Sequence, residues 1–486
     1  MKLPEVAYIA LACLLAWALL RRAENKAFMA LVLVWLFGYP ILARPEYMIQ
    51  VNLLGFDLQP NRILFLVLSA AIGLRLLRAV VRPRVPRDRK RPAFELFMLG
   101  YMLAVLITVS LNHEVVGGWD RVAVIASGQA VFFLAYYRAK WDVTVVDRKV
   151  LYDAVVALGI ISTVVGLVQF LWDPTFLRWG DVRPAFGDFM RSTGVFPQEY
   201  EQGLLQIIAM VIGLTSSRRW TWSFVVLASA SLGVFLTMHR LTWVAFVLVL
   251  GSYAALFWIR RPTRVVALIG LSVLAVAVIL SVSWEAVIPE SFGSAFLYDR
   301  VLSDTLTGRF EYYRFAIDLL WRRPWGVGSF YTDLYNQQAY LASVPFQYLS
   351  SGVSRAMVVH NGFLAAGSKH GVMGLVLFTL FLVSMLWHFT KRVHRDSSMS
   401  SVPFFVVLAF VLLNATNDFS DLNTEVAVVI AIVLGAAESA LAHPNPSRAA
   451  SLTRGSGITW QLSLVTSRVG QALADSRPVP QGWKTQ

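Results

Sequence analysis

The chain has 486 residues, 57% of them hydrophobic and 15% charged, with a formal net charge of +14. A soluble protein carries about 25% charged residues; the deficit here sits in apolar runs of about 20 residues, enough to cross a hydrocarbon core roughly 30 Å thick. That excludes the soluble classes, and the absence of alternating ten-residue segments excludes a β-barrel. The basic residues fall in short clusters between apolar runs, as the positive-inside rule distributes them, so the charge points to a membrane and not to nucleic acid.

Spans are expected near 4–20, 27–43, 61–80, 93–111, 120–138, 150–171, 203–216, 220–237, 242–258, 264–283, 361–388, 402–417 and 424–442. Cys13 lies alone in the first run, so neither a disulfide framework nor a thiolate zinc site is expected. That run lacks a small-residue cleavage site and reads as a retained helix. The basic clusters Arg21-Arg22, Arg75 to Arg91, Arg218-Arg219, Arg260 to Arg264 and Lys391 to Arg395 can all be assigned to the cytoplasm without conflict. Residues 44–60, 112–119, 172–202, 284–360 and 418–423 are then outside.

The expected fold is all-α, a polytopic bundle of about 12–13 spans over residues 1–442. A large outer loop separates the spans near 283 and 361. The tail 443–486, rich in Pro, Ser and Arg, is expected inside and poorly ordered, with a short surface helix around Ile458 to Leu473.

Two outer segments are too long to be connectors, and loops of that length in a compact protein are usually functional or disordered. One is 172–202; the other is 284–360, where aromatic residues recurring from Phe292 to Tyr348 argue against disorder. Within it Arg309 to Trp321 reads as an amphipathic helix, with Phe310, Tyr313, Ile317 and Leu320 at helical spacing.

Four positions on the outer face can carry chemistry. Arg240 lies between two spans, on a side where positive charge has no retention role. It is either a snorkelling arginine on headgroups or an anion site facing the loops. Arg309, placed at the start of the loop helix, either joins free backbone N–H groups in holding phosphate or pairs locally with Glu311 or Asp304. Arg314, one turn on, suits either role. His360, at the entrance to the apolar run Phe363 to Trp387, is either a helix cap or a general base titrating near pH 6.5.

Lys369 and His370 lie deeper in that run and are expected to face the protein interior or a wet cavity. No HExxH, CxxC or GxxxxGK[ST] motif occurs, and the looser pair Asp418/Asp421 is no Asp-x-Asp site, so neither a metal nor another cofactor is expected. Outer-face arginines with one histidine suit a reaction in which an anionic leaving group is held while a base activates a hydroxyl.

The segments Arg191-Ser-Thr-Gly-Val-Phe-Pro, Leu236-Thr-Met-His-Arg240 and Thr307-Gly-Arg-Phe-Glu-Tyr-Tyr with Pro324-Trp-Gly-Val-Gly328 follow one another in order. After them comes His360-Asn-Gly-Phe-Leu, continuing to His370-Gly-Val-Met-Gly-Leu375. In these residues, and over about 150 to 440, the chain resembles the O-antigen ligase and polymerase superfamily of bacterial glycan-assembly proteins.

The resemblance implies a GT-C-like bundle in the bacterial inner membrane with a periplasmic loop over a lipid-accessible cavity. It implies metal-independent transfer of a glycan from undecaprenyl pyrophosphate to an acceptor hydroxyl, with lipid A–core the first expectation. Extension of O-antigen or exopolysaccharide repeats, and transfer to protein, are the alternatives. By resemblance Arg240 and Arg309 bind the donor pyrophosphate and His360 deprotonates or orients the acceptor. Arg191, His239, Tyr313, Arg314 and Asn361 line the substrate site. His239 stands where a serine is more usual, and Gln198-Glu199 where Pro-Asn is usual.

A transporter is the rival class, with Arg240 and Arg309 holding an anionic solute. It calls for broken helices in mid-span and repeats between the two halves, neither of which the sequence displays. Lys369 and His370 are its best charge candidates.

Overall fold

A computed structural model describes residues 3–42, 52–53, 56–57, 92–116, 118–178, 182, 184–186, 189–216, 220–257, 305–328, 360–393, 398–415, 417–420, 422 and 424–442. The expected spans at 61–80 and 264–283, the surface helix near 458 and Asp421 lie outside the described residues.

Long apolar helices dominate. They are α1 (Leu3–Leu20), α2 (Lys26–Leu42), α3 (Ala93–Leu111), the short α4 (His113–Val116), α5 (Trp119–Asp142) and α6 (Val145–Leu171). There follow α7 (Glu199–Ser216), α8 (Trp220–Leu236), α9 (Arg240–Phe257), α10 (Thr305–Arg322), α11 (Gly362–Thr390), α12 (Ser398–Asn414) and α13 (Glu425–Ala442). Among the described residues the extended structure comprises two small antiparallel hairpins, β1 (Asn52–Leu53) with β2 (Phe56–Asp57) and β3 (Pro184–Phe186) with β4 (Phe189–Met190).

Among the described residues α3, α6, α9 and α11 are long and apolar enough to cross a bilayer unaided, and shorter apolar helices stand beside them. The protein is an all-α, multi-pass membrane protein. Its outer surface agrees: Leu96, Leu103 and Ile107 on α3, and Val376, Leu380, Val383 and Trp387 on α11, are exposed apolar side chains. In water such stripes would associate; in lipid tails they are solvated.

Because lipid is as apolar as leucine, helices in a membrane associate by close packing and buried polar contacts. Gly435 of α13 lies so close to α5 that a Cβ there would overlap the Tyr136 carbonyl. Gly203 of α7 likewise abuts Thr242 of α9.

At the end assigned to the cytoplasm, buried acids are matched. Glu95 accepts from Lys140, from Tyr136 at 2.7 Å and from Tyr137 at 2.9 Å. Glu438 meets Arg392 and, at 2.9 Å, His388. Thr144 and Asp147 form a capping box at the start of α6, and Asp147 Oδ1 also accepts from the Glu24 amide at 2.8 Å. An apolar groove of about 770 Å³ runs along α1 and α6, from Arg22 and Asp153 on this side to Phe176.

The span expected at 361–388 is present but broken. Gly371 has φ 72° and ψ −171°, a conformation open to glycine, and it splits α11 into Gly362–His370 and a longer second half. Broken backbone inside a membrane must find other hydrogen-bond partners. The Pro324–Gly328 segment supplies them: Val327 N donates to Ser368 O (3.3 Å), Gly328 N to Lys369 O (2.8 Å), and Val372 N to Pro324 O (2.8 Å).

Candidate functional site

The Arg191 motif is folded inward by one carboxamide. Gln169 Oε1 accepts from Thr193 N (3.0 Å), Gly194 N (2.9 Å) and Ser192 Oγ (3.2 Å), while its Nε2 donates to Phe176 O and Gly194 O at 2.8 Å. Gly194 has φ 58°, and a Cβ there would overlap Ser162 Oγ. Non-helical backbone is thus tolerated at this depth because α6 satisfies it. Arg191 itself reaches Glu199, the first residue of α7, at 2.7 Å. Arg178 Nη1 donates to the Arg191 carbonyl at 2.8 Å.

The next residue of α7, Tyr200, joins two further motifs. Its ring lies 6.3 Å from that of His239 and 5.1 Å, edge-on, from that of Phe419. His239 is buried and opens the turn into α9. Its Nδ1 accepts from the Thr242 amide at 3.3 Å and stands 2.8 Å from Thr242 Oγ1, which leaves the ring proton on Nε2. Arg240, half-buried, is the first residue of α9.

Phe419 belongs to the connection between α12 and α13, and this connection holds the first half of α11 at both ends. Asn361 Nδ2 donates to Ala415 O at 3.0 Å. Lys369 Nζ, 4% exposed, meets Asp418 Oδ2 at 2.7 Å. Asp418 Oδ1 accepts from Ser420 N (3.0 Å) and Ser420 Oγ (2.6 Å). Burial disfavours the Asp418 carboxylate, but Lys369 and Ser420 outweigh it and hold its pKa below the ordinary aspartate value.

The cap of α11 is Asn361. Its Oδ1 accepts from the amides of Phe363 and Leu364, both at 3.0 Å. The capping role open to His360 from sequence therefore belongs to its neighbour. His360 stands just outside the cap, half-buried, with φ 49°, a conformation uncommon for a side chain of its size. The Tyr313 hydroxyl of α10 lies 3.5 Å from its carbonyl oxygen.

Two expectations for α10 are corrected. The helix begins at Thr305, so Arg309 lies beyond the first turn and its free N–H groups. The buried face comprises Phe315, Ala316 and Leu319, and Ile317 is 43% exposed. Ala316 packs on Ala365 of α11, and two small residues there let the helices approach on that side. Arg314 is exposed; the Arg309 side chain lies outside the described residues. Lys369 and His370 face the interior, as expected.

Continuous contacts thus run from Arg191 through Glu199 and Tyr200 to His239 and Arg240, and through Phe419 and the 414–420 turn to Asn361, His360 and Tyr313. Sequence reasoning missed three parts of this: Gln169, Glu199 as the partner of Arg191, and the 414–420 turn, considered only as a metal site. The one signal available was a glutamate eight residues after Arg191, at the head of a span.

No curated protein matches the chain. Residues 224–379, about a third of it, match the family model described as O-antigen ligase. The matched stretch runs from α8 into the second half of α11 and includes both ends of the Pro324–Gly371 junction. Over that stretch the chain is similar to the O-antigen ligase family, and the Arg191 motif lies upstream of it, packed against the same helices.

Proposed function

We propose that the protein transfers a glycan from undecaprenyl pyrophosphate to an acceptor hydroxyl on the periplasmic face of the inner membrane, acting as an O-antigen ligase on lipid A–core. The observation that carries this reading is the family match over 224–379, which contains His239, Arg240, Arg309, Tyr313, Arg314, His360 and Asn361. Arg191 joins them through Glu199 and Tyr200.

In the proposed step His360 takes the proton of the acceptor hydroxyl. The hydroxyl oxygen forms a bond to the anomeric carbon, whose bond to the phosphate oxygen breaks. Undecaprenyl pyrophosphate leaves with the bonding pair, and Arg240 and Arg309 hold the charge that develops on it. Arginine suits that place because its planar fork matches phosphate oxygens and it remains charged. The step calls on no metal. The helix cap falls to Asn361, so the role proposed for His360 does not compete with capping.

A polymerase of the same superfamily is the second reading, since the match spans about a third of the chain and specifies no acceptor. The break in α11 is the feature a transporter would share. Here its freed backbone groups are taken by Pro324–Gly328, so the break needs no water-filled pathway.

The deciding experiment incubates purified protein with an undecaprenyl-linked glycan and lipid A–core. The expected product is glycan on the core. Elongation of the lipid-linked glycan without transfer would overturn the ligase reading in favour of the polymerase. Substrate uptake without any glycan product would overturn both.

A further inference from the structure

We infer that Lys369 and Asp418 are positioning residues for His360, acting through the nine-residue first half of α11 as a rigid mount. The inference rests on the proposed role of His360 and deepens it.

The half-helix Gly362–His370 is about 13 Å long. A helix so short has little stability of its own and holds its place through tertiary contacts. Its two ends are tied to the same piece of backbone. At the His360 end, Asn361 Nδ2 bonds Ala415 O, and Gly362 lies so close to Asn414 that a Cβ would overlap its side-chain oxygen. At the far end, Lys369 Nζ reaches Asp418 Oδ2 at 2.7 Å and Ser420 Oγ at 3.4 Å.

Further backbone bonds come from the Pro324–Gly328 segment, at Ser368 O and Lys369 O, while Ala316 of α10 packs on Ala365 and the Tyr313 hydroxyl lies 3.5 Å from His360 O. Against the connection between α12 and α13, the ion pair is the side-chain tie at the far end, opposite Asn361, and together the two set the azimuth and height of the half-helix. Buried pairs add little net stability over an apolar substitute, yet fix geometry. A charge pair with Lys369 at 4% exposure and Asp418 at 18%, beside a seat of backbone bonds, is explained by that second property.

Removing one partner alone would leave a buried charge and threaten folding, so the test removes both. The variant Lys369→Met/Asp418→Asn is expected to accumulate and to melt close to wild type. Its turnover with an undecaprenyl-linked glycan and lipid A–core should fall at least about tenfold, with KM for the donor unchanged. Hydrogen exchange at the amides of Phe363 to Ala366 should quicken at least about tenfold, while α7 keeps its protection. In a His360→Ala background the same double substitution should cause no further loss of turnover.

Unchanged exchange at Phe363 to Ala366 would overturn the mounting role. So would an equal further loss in the His360→Ala background, which would place the effect elsewhere. Wild-type turnover in His360→Ala alone would instead overturn the catalytic part given to His360, and the exchange measurement would still decide the mount.

Discussion

Arg191 Nη1 and Glu199 Oε1 stand 2.7 Å apart, the arginine side chain 24% exposed and the glutamate 3%. A guanidinium already matched in this way has less charge to offer a passing anion than an isolated one. Its first effect is to join the inward-folded 191–197 segment to the head of α7.

Glu199→Ala is therefore expected to lower stability by about 3 kcal/mol, since it leaves a partly buried charge uncompensated. The double variant with Arg191→Ala should lose less than the sum of the two singles, by at least about 1 kcal/mol. Denaturation of the purified variants in detergent would measure both. Additive losses would remove the pair from the account.

Gly371→Ala should destabilise the protein by at least about 2 kcal/mol, because it combines a left-handed conformation with overlap of the Pro324 carbonyl. Gly326→Ala, whose Cβ would overlap Lys369 O across the same junction, should behave alike. Gly251→Ala in α9, where no atom lies within 4 Å, serves as the control and should be neutral or slightly stabilising. Thermal melting of the three variants gives the comparison.

Asn361→Ala removes the acceptor for two amides and should cost about 1 kcal/mol of stability. Asn361→Asp keeps that acceptor but loses the Nδ2 donor to Ala415 O, so it should restore part of the stability. If transfer activity follows stability across this pair, Asn361 acts as cap; loss of activity in both would assign it a substrate contact.

Arg309→Ala is expected to abolish transfer while the protein still accumulates in the membrane. Arg309→Lys should also turn over poorly, because a point charge lacks the two-pronged geometry of guanidinium. Turnover of either variant at the wild-type rate, in the purified assay, would remove the arginine from pyrophosphate binding.

The pH dependence of Asp418 follows from the direction of its shift. Its folded pKa lies below the unfolded value of about 4, so its contribution is present above that pH. It is lost as the pH falls through the folded value. The stability gap between wild type and Asp418→Asn should be constant near neutrality and shrink below about pH 4. A gap that widens with acidification would contradict the assignment.

The helices were legible because each apolar run of about 20 residues has one physical use, crossing hydrocarbon. The break at Gly371 was not, because the run from Phe363 to Trp387 is apolar apart from a few residues such as Ser368, Lys369 and His370, and φ leaves no mark in the sequence. What satisfies it, Pro324–Gly328, lies more than 40 residues away. The polar ties were hidden in the same manner. Gln169 reads as one polar residue late in a span, and its five hydrogen bonds exist only once residues 192–194 fold back onto it. His360 and Asn361 were legible as a dyad at a membrane edge, but which of them caps the helix depended on side-chain reach.

The break in α11 also divides that helix mechanically. An unbroken helix carries an axial tilt along its whole hydrogen-bond ladder, and spans tilt as bilayer thickness varies. Here the ladder stops at Gly371, and the crossing segment is bonded on both sides of the stop. A thicker or thinner membrane can rock the lipid-facing half from Val372 to Thr390 about that hinge. The half next to His360 is held separately, through Asn361 and Lys369, so the role proposed for His360 is expected to vary little with the lipids around the other half.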